Sequence, residues 1–346
     1  MGPDDPATPR MTALLYEAPR VLAFRSVAAP DLTSEHAAIV RPTTVATCDL
    51  DHHIVRGLPG FEGPFVVGHE FVGEVVDVGD AVTGHRVGDI VAVAYQPSCG
   101  ACRMCGRGTT SACRQVPRTS TYGLGPLGGG WGGALADLVL VPYAEAMLAP
   151  IPVGVSPRQA ASASDNVADA YRCVAPHLAA YPGAPVLVVG NGAIPLIAAD
   201  CARRLGSEQV TLCSQQPENL ARADALGIVA QPADEWPARF ANHPITVDCT
   251  GDAAGLRAVV ASTEPGGHCT AASMHAADVA LPLPAMYMKG LTFHTGRTEG
   301  AAQLVPMLRA IAAGDIDPLV VDPLVATWDD APQALLSDAV KVVVER

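Results

Sequence analysis

Pro185-Val-Leu-Val-Val-Gly190-Asn-Gly192-Ala193-Ile194-Pro195-Leu-Ile-Ala-Ala199 is the stretch whose reading decides the fold. The unbroken apolar run Val186 to Val189 predicts a strand buried on both faces, and the Leu196 to Leu205 segment predicts a helix. A strand that enters a helix through Gly-x-Gly suits a phosphate. The first glycine makes the tight turn, and the second lets backbone amides approach an anion at the helix N-terminus. The customary third glycine is replaced by Pro195, which the first helical turn accommodates because its N–H would have no partner there. The apolar run Val210 to Cys213 completes a strand–helix–strand unit.

Outward from this unit the same grammar continues. Arg158 to Leu178 reads as a helix, a further helix ends near Leu226-Gly227, and Ile245 to Asp248 reads as a strand. Ala254 to Ser262 reads as a helix, and Gly266-Gly267-His268-Cys269-Thr270 leads another strand. Alternating strands and helices predict an α/β domain with a doubly wound parallel sheet of the Rossmann type, covered on both faces. Upstream the texture differs: Ala37 to Val40, Val66 to Val78, Ile90 to Ala94 and Ala134 to Val141 are short runs punctuated by Gly, Pro and Asp, as in a mostly β domain. The helix Gln303 to Ala313 and the strand Lys341 to Val344 are expected to return to that first domain. The expected division is therefore 11–157 with 297–346, and 158–296. Residues 1–10 form a Pro- and Asp-rich tail with Met11 as the expected natural start, and without the apolar core of a secretory signal a cytoplasmic protein is expected.

Length and charge narrow the function. A chain of 346 residues suits two domains. Its formal net charge of −13 gives little attraction for nucleic acid or anionic lipid. Of ten cysteines, Cys99, Cys102, Cys105 and Cys113 crowd one loop, which is not the spacing of a disulfide scaffold. Two-residue gaps turn successive thiolates toward one ion, and four sulfurs complete the tetrahedron of a structural zinc. The alternatives are an iron–sulfur cluster and free cysteines with no ligand role.

Together with this loop, Gly68-His69-Glu70-Phe-Val-Gly73-Glu-Val-Val-Asp-Val-Gly79 and Val87-Gly88-Asp89-Ile-Val91 make the chain resemble the zinc-containing medium-chain dehydrogenase/reductases, the alcohol and polyol dehydrogenases, from Met11 to Arg346. The resemblance implies a GroES-like catalytic domain beside the Rossmann domain. It implies a catalytic zinc held by Cys48, His69 and Asp165, with Glu70 as a carboxylate able to act as a fourth ligand. Asp51 then accepts the other ring N–H of His69, and His53 matches a family histidine of the proton path. The resemblance places the backbone of Gly190, Gly192, Ala193 and Ile194 and the Arg297 guanidinium on the cofactor pyrophosphate. At the end of the second strand, Ser214 stands where an NAD site of the family carries an acid, and Gln215 stands where its NADP-binding members often carry an Arg. Loss of that carboxylate removes repulsion of a 2′-phosphate, so NADP(H) is favoured over NAD(H). A homodimer or homotetramer is implied.

Two positions depart from the family pattern. Leu50 occupies the place of the Ser or Thr that passes the alcohol proton toward solvent, and an aliphatic group cannot relay a proton. Asp169-Ala170 replaces a Thr-Gly pair, and Tyr122, Trp131 and the glycine-rich 123–133 segment are candidates for a substrate loop or a plain surface loop. The expected activity is hydride transfer between a secondary alcohol, such as a polyol, sugar or natural-product intermediate, or its carbonyl, and the nicotinamide. The alternatives are an NADPH-dependent reductase of an activated C=C or C=N bond, and a non-catalytic nucleotide-binding relative.

Overall fold

The computed structural model describes residues 9–32 and 34–346. Of the expected tail, residues 1–8 lie outside the described residues, and Arg10 already begins the first strand. Contacts divide the chain into residues 1–165 with 298–312 and 322–346, and residues 166–297 with 313–321.

The first unit holds two antiparallel-rich sheets. Arg10–Ala18 pairs with Val21–Ala28 and Phe65–Val66 in a three-stranded sheet. A seven-stranded sheet runs in the order Leu324–Thr327, Val342–Glu345, Ala38–Ala46, Glu70–Val78, Ile90–Val93, Leu148–Pro150, with Val139–Val141 paired to Ala38–Ala46. The expected run Ala37 to Val40 thus continues to Ala46. It passes Pro42 because the register shifts between Pro42 and Thr44, where a residue without an N–H loses no ladder bond. Ala46 faces both Glu70 and Val343, antiparallel to each. The residues just after Ala46 and just before Glu70 and Val342 therefore leave the sheet at one end, and that end is where the site forms.

The second unit is a six-stranded sheet ordered Val229–Pro232, Val210–Ser214, Val186–Gly190, His243–Cys249, Thr263–Ala271, Thr292–Thr295, every pair parallel. Numbered along the chain this is the 3-2-1-4-5-6 order of a doubly wound dinucleotide sheet. Leu187, Val189, Cys213 and Cys269 are buried in its core. The run Arg158 to Leu178 divides into two helices, Pro157–Ala161 and Asn166–Ala180. The strand led by Gly266 begins earlier, at Thr263, and bulges through the glycines, since His243 pairs with Thr263 while Ile245 pairs with His268. Gly190 is required by close approach: at φ +148° a Cβ there would lie 2.4 Å from the Cys249 carbonyl oxygen.

Gly190→Ala is expected to lower the free energy of unfolding by about 3 kcal/mol or more, through a clash with backbone that cannot yield. Gly88→Ala, also at positive φ but with open space around it, is expected to cost only about 1–2 kcal/mol. Urea denaturation of the two variants checks the difference.

Candidate active site and metal centres

Cys48 caps the short helix Asp49–Val55, and its backbone N–H donates to Asp51 Oδ2 at 2.9 Å. That bond turns the Asp51 carboxylate so that Oδ1 lies 3.3 Å from His69 Nδ1, a charge contact rather than an aligned hydrogen bond. On the opposite side of the ring, His69 Nε2 is 3.2 Å from Asp165 Oδ2. Donor atoms of Cys48, Asp51 and His69 lie within 4.8 Å of one another, all buried. The turn between helices Pro157–Ala161 and Asn166–Ala180 carries Asp165, and it is pinned by Ser164, which accepts from the Tyr95 N–H and donates to the Val93 carbonyl. The structure thus brings Cys48, His69 and Asp165 together from positions far apart in the chain, with Asp51 behind the imidazole.

Burial pushes the Cys48 thiol up to about 12. Burial would lower His69, but Asp51, Cys48 and Asp165 outweigh it and hold the imidazole well above its usual value. A soft sulfur and a ring nitrogen in one buried cluster, with the Asp165 carboxylate against the ring's Nε2, are the kinds of donor that a three-ligand zinc site uses. The residues fit the metal.

Glu70 is occupied elsewhere. Its Oε2 accepts from Lys341 Nζ at 2.7 Å and from Ser162 Oγ at 2.8 Å, and Lys341 also donates to the Thr47 carbonyl at 2.6 Å. Both charged side chains are almost fully buried. Sequence reasoning did not find Lys341, although the signal was there. The chain has only two lysines, and both spend their ammonium on backbone carbonyls, Lys289 on those of Ala261 and Thr263. His53 is exposed, whereas its neighbour His52 is buried with Nε2 3.1 Å from Thr47 Oγ1. Leu50 is half-buried.

Sulfur atoms of Cys99, Cys102, Cys105 and Cys113 converge within 4.8 Å. Separations of 4.0 Å for Cys99–Cys105 and 3.6 Å for Cys102–Cys105 bracket the edge of about 3.8 Å of a tetrahedron with metal–sulfur bonds of about 2.3 Å. Backbone N–H groups already point at the sulfurs: Cys102 to Cys99 at 3.3 Å, Cys99 to Cys113 at 3.3 Å and Gln115 to Cys113 at 3.4 Å. The N–H of Arg114 heads the donors that pull the Cys102 thiol down to about 6. The loop is tied down by Glu299, which accepts from the Ser111 N–H at 2.7 Å and from its hydroxyl at 3.0 Å. Cys173, Cys201, Cys213, Cys249 and Cys269 are free, buried and pushed up by burial, as core thiols are.

In the second unit Gly192, at φ +92°, caps the helix Ala193–Arg204 without any side-chain cap. The first-turn amides are left for a ligand, which fits a pyrophosphate. Pro195 sits in that first turn as expected. Gly192 and Ala193 are buried and Ile194 half-buried. The Gly192 N–H donates to Gln216 Oε1 at 2.9 Å. The fully buried Ser214 donates its hydroxyl to Asn191 Oδ1 at 2.9 Å, and the exposed Gln215 exchanges bonds with Asn191 through its N–H and Oε1. Ser214 therefore braces the turn from beneath. Arg297 is exposed. Asp169 is paired with Arg172, whose Nη2 donates to the Gly296 carbonyl at 2.9 Å. Tyr122 is a core residue rather than part of a substrate loop: it is fully buried, its hydroxyl donates to the Leu140 carbonyl at 2.8 Å, and its ring meets Phe71 edge-on.

A 3-2-1-4-5-6 parallel sheet and a β-rich unit with these two donor clusters define the class, an α/β oxidoreductase of the zinc alcohol dehydrogenase type. Residues 34–153 match the alcohol dehydrogenase GroES-like domain. The sequence is 31% identical to a glutathione-independent formaldehyde dehydrogenase of Pseudomonas aeruginosa over 86% of this chain and 86% of that one. It is 30% identical to formaldehyde dismutase of Pseudomonas putida over 71% of this chain and 66% of that one. The solved structure of an alcohol dehydrogenase from Thermus sp. ATN1 is similar with a TM-score of 0.85 at 28% identity, covering 97% of this chain and 99% of that chain. The chain belongs to the zinc-containing medium-chain dehydrogenase/reductase family.

Cys105→Ser is expected to remove one zinc per chain and lower stability by about 3 kcal/mol or more, since metal binding to a structural site is folding free energy. Cys48→Ser is expected to remove a different zinc with little loss of stability. Metal analysis by mass spectrometry combined with thermal unfolding distinguishes the two sites.

Proposed function

We propose that the protein is a zinc-dependent dehydrogenase that moves hydride between an alcohol or its carbonyl and a nicotinamide cofactor, with Cys48, His69 and Asp165 as the catalytic zinc ligands. The placement of buried Cys48 beside His69, with the partly exposed Asp165 carboxylate 3.2 Å from His69 Nε2, carries the reading. Zinc would supply Lewis-acid polarisation of the alcohol or carbonyl oxygen, and nicotinamide the hydride acceptor or donor.

The chain's own residues do the rest. Asp51, aimed by the Cys48 N–H, fixes the ring of His69 and keeps Nε2 directed at the ligand position. Lys341 and Ser162 hold Glu70 through Oε2, so that oxygen is not available to a metal while the buried pair stands. The N-terminus of helix Ala193–Arg204 receives the pyrophosphate, and Arg297 is assigned to the same anion. NADP(H) is favoured over NAD(H) because the position at the end of the second strand, Ser214, carries no carboxylate; Gln215, exposed beside it, is proposed to meet a ribose or its phosphate. His53, exposed on the helix that Cys48 caps, is the proposed exit of the proton to solvent. We further assign a cytoplasmic setting, where reduced thiols remain free for metal, and a homodimer or homotetramer.

The substrate is proposed as a secondary alcohol, polyol or sugar-like alcohol, and the names of the relatives add formaldehyde to the compounds worth testing. Leu50 favours a second reading, reduction of an activated C=C or C=N bond, because hydride delivery does not need the lost hydroxyl relay. Leu50→Ser is expected to raise oxidation of simple alcohols at least about tenfold and to shift its pH profile, as restoring a proton path does. Steady-state rates from pH 6 to 10 with both cofactors check this. Unchanged rates and profile, together with reduction of an activated double bond by the unaltered enzyme, support the second reading instead.

A further inference from the structure

The second half of the parallel sheet carries a polar pair that the zinc chemistry does not use. Asp248, fully buried, lies near the end of the strand His243–Cys249. Its Oδ1 accepts from the Thr250 N–H at 3.2 Å and the Thr250 hydroxyl at 2.6 Å, and its Oδ2 lies 3.3 Å from His275 Nε2. His275 comes four residues after the neighbouring strand Thr263–Ala271. It is brought back because the N–H groups of Ala272 and Ser273 fold onto the Asp248 carbonyl at 2.8 and 3.4 Å. The imidazole is thereby laid over the carboxyl end of the strand next to Val186–Gly190, with its side chain 15% exposed.

That place has a meaning in this topology. Val186–Gly190 is flanked by Val210–Ser214 on one side and His243–Cys249 on the other, so the strand order reverses here, and a dinucleotide lies outside the carboxyl ends at such a reversal. Asp248 is in register with Val189, one residue before the glycine turn. The sheet consists of two mononucleotide-binding halves of three strands each. In the first half a ribose is read at the end of the second strand, the position of Ser214. In the other half the second strand is Thr263–Ala271, and His275 is the side chain that follows its end and is held back over the sheet.

We propose that His275, oriented by Asp248, receives the hydroxyls of the ribose that carries the nicotinamide. With Nε2–H donated to the carboxylate, Nδ1 presents a lone pair, and a ribose diol supplies the O–H. The inference rests on the proposed nicotinamide cofactor, and His275 is a positioning residue for it.

The test is binding to the full chain by titration calorimetry, using ADP and ADP-ribose, each with and without the adenosine 2′-phosphate, and NADPH. ADP-ribose differs from ADP by the second ribose alone. His275→Gln retains the contact with Asp248 but withdraws from the Nδ1 position, so it is expected to weaken ADP-ribose and NADPH about tenfold and to leave ADP unchanged. His275→Asn keeps a polar atom near Nδ1 and is expected to recover most of the loss. Thermal unfolding of both variants accompanies the titrations. Equal weakening of ADP and ADP-ribose, or no weakening of either, overturns the inference while the cofactor reading stands. Failure of the unaltered chain to bind any of these nucleotides overturns both.

Discussion

One register holds the site together. Ala46 is opposite Glu70 on one flank and Val343 on the other, both antiparallel, so three strands from distant parts of the chain release Cys48, His69 and Lys341 at the same end of one sheet. A shift of one residue in either pairing would turn the facing side chains to the other surface. The shift between Pro42 and Thr44 belongs to the same constraint, because the strand must pass a residue without an N–H before it reaches Ala46.

This end of the sheet is charged and nearly dry. Asp51 and Asp165 flank one imidazole beside a thiol, and Glu70 is neutralised by Lys341 a few residues away in the register. Removing one member of a buried ion pair commonly costs about 3–5 kcal/mol, because the remaining charge is left without a partner. The pair therefore keeps Glu70 compatible with burial while the neighbouring acids and thiol are left to a cation. Lysine suits this place: its compact ammonium reaches both the Thr47 carbonyl and Glu70 from the head of an apolar strand.

The second unit separates bracing from binding. Asn191, Ser214, Gln215 and Gln216 bond one another around the glycine turn, so the polar groups there shape the loop, and the helix amides are what remains for the proposed pyrophosphate. Gly190 is fixed by the Cys249 backbone rather than by a phosphate, since a Cβ would collide with the protein itself. Cysteine divides by the same logic of environment. Four sulfurs surrounded by backbone N–H groups make a loop able to hold a metal, Cys48 sits between acids and an imidazole, and the five in the second unit are apolar filling.

The strand–glycine–helix grammar of residues 185–205 and the four-cysteine loop were legible in the chain because their physics is local: hydrophobic period, turn residues and ligand spacing act over a few positions. The proposed catalytic triplet was legible only through family resemblance, since nothing between Cys48, His69 and Asp165 in sequence brings them within reach. The break after Ala161 was hidden, because Ser162 to Asp165 continue a helical pattern and the bonds that hold the turn, Ser162 to Glu70 and Ser164 to Tyr95 and Val93, come from other strands. Lys341, the burial of Ser214 and Tyr122, and the return of His275 onto Asp248 likewise depend on partners from other strands. Sequence by itself determined the class of fold and the kinds of ligand atom this protein offers. The tertiary structure alone decided which of those atoms meet and which are spent on holding the frame, because strand register and burial arise from contacts between segments that the linear order leaves apart.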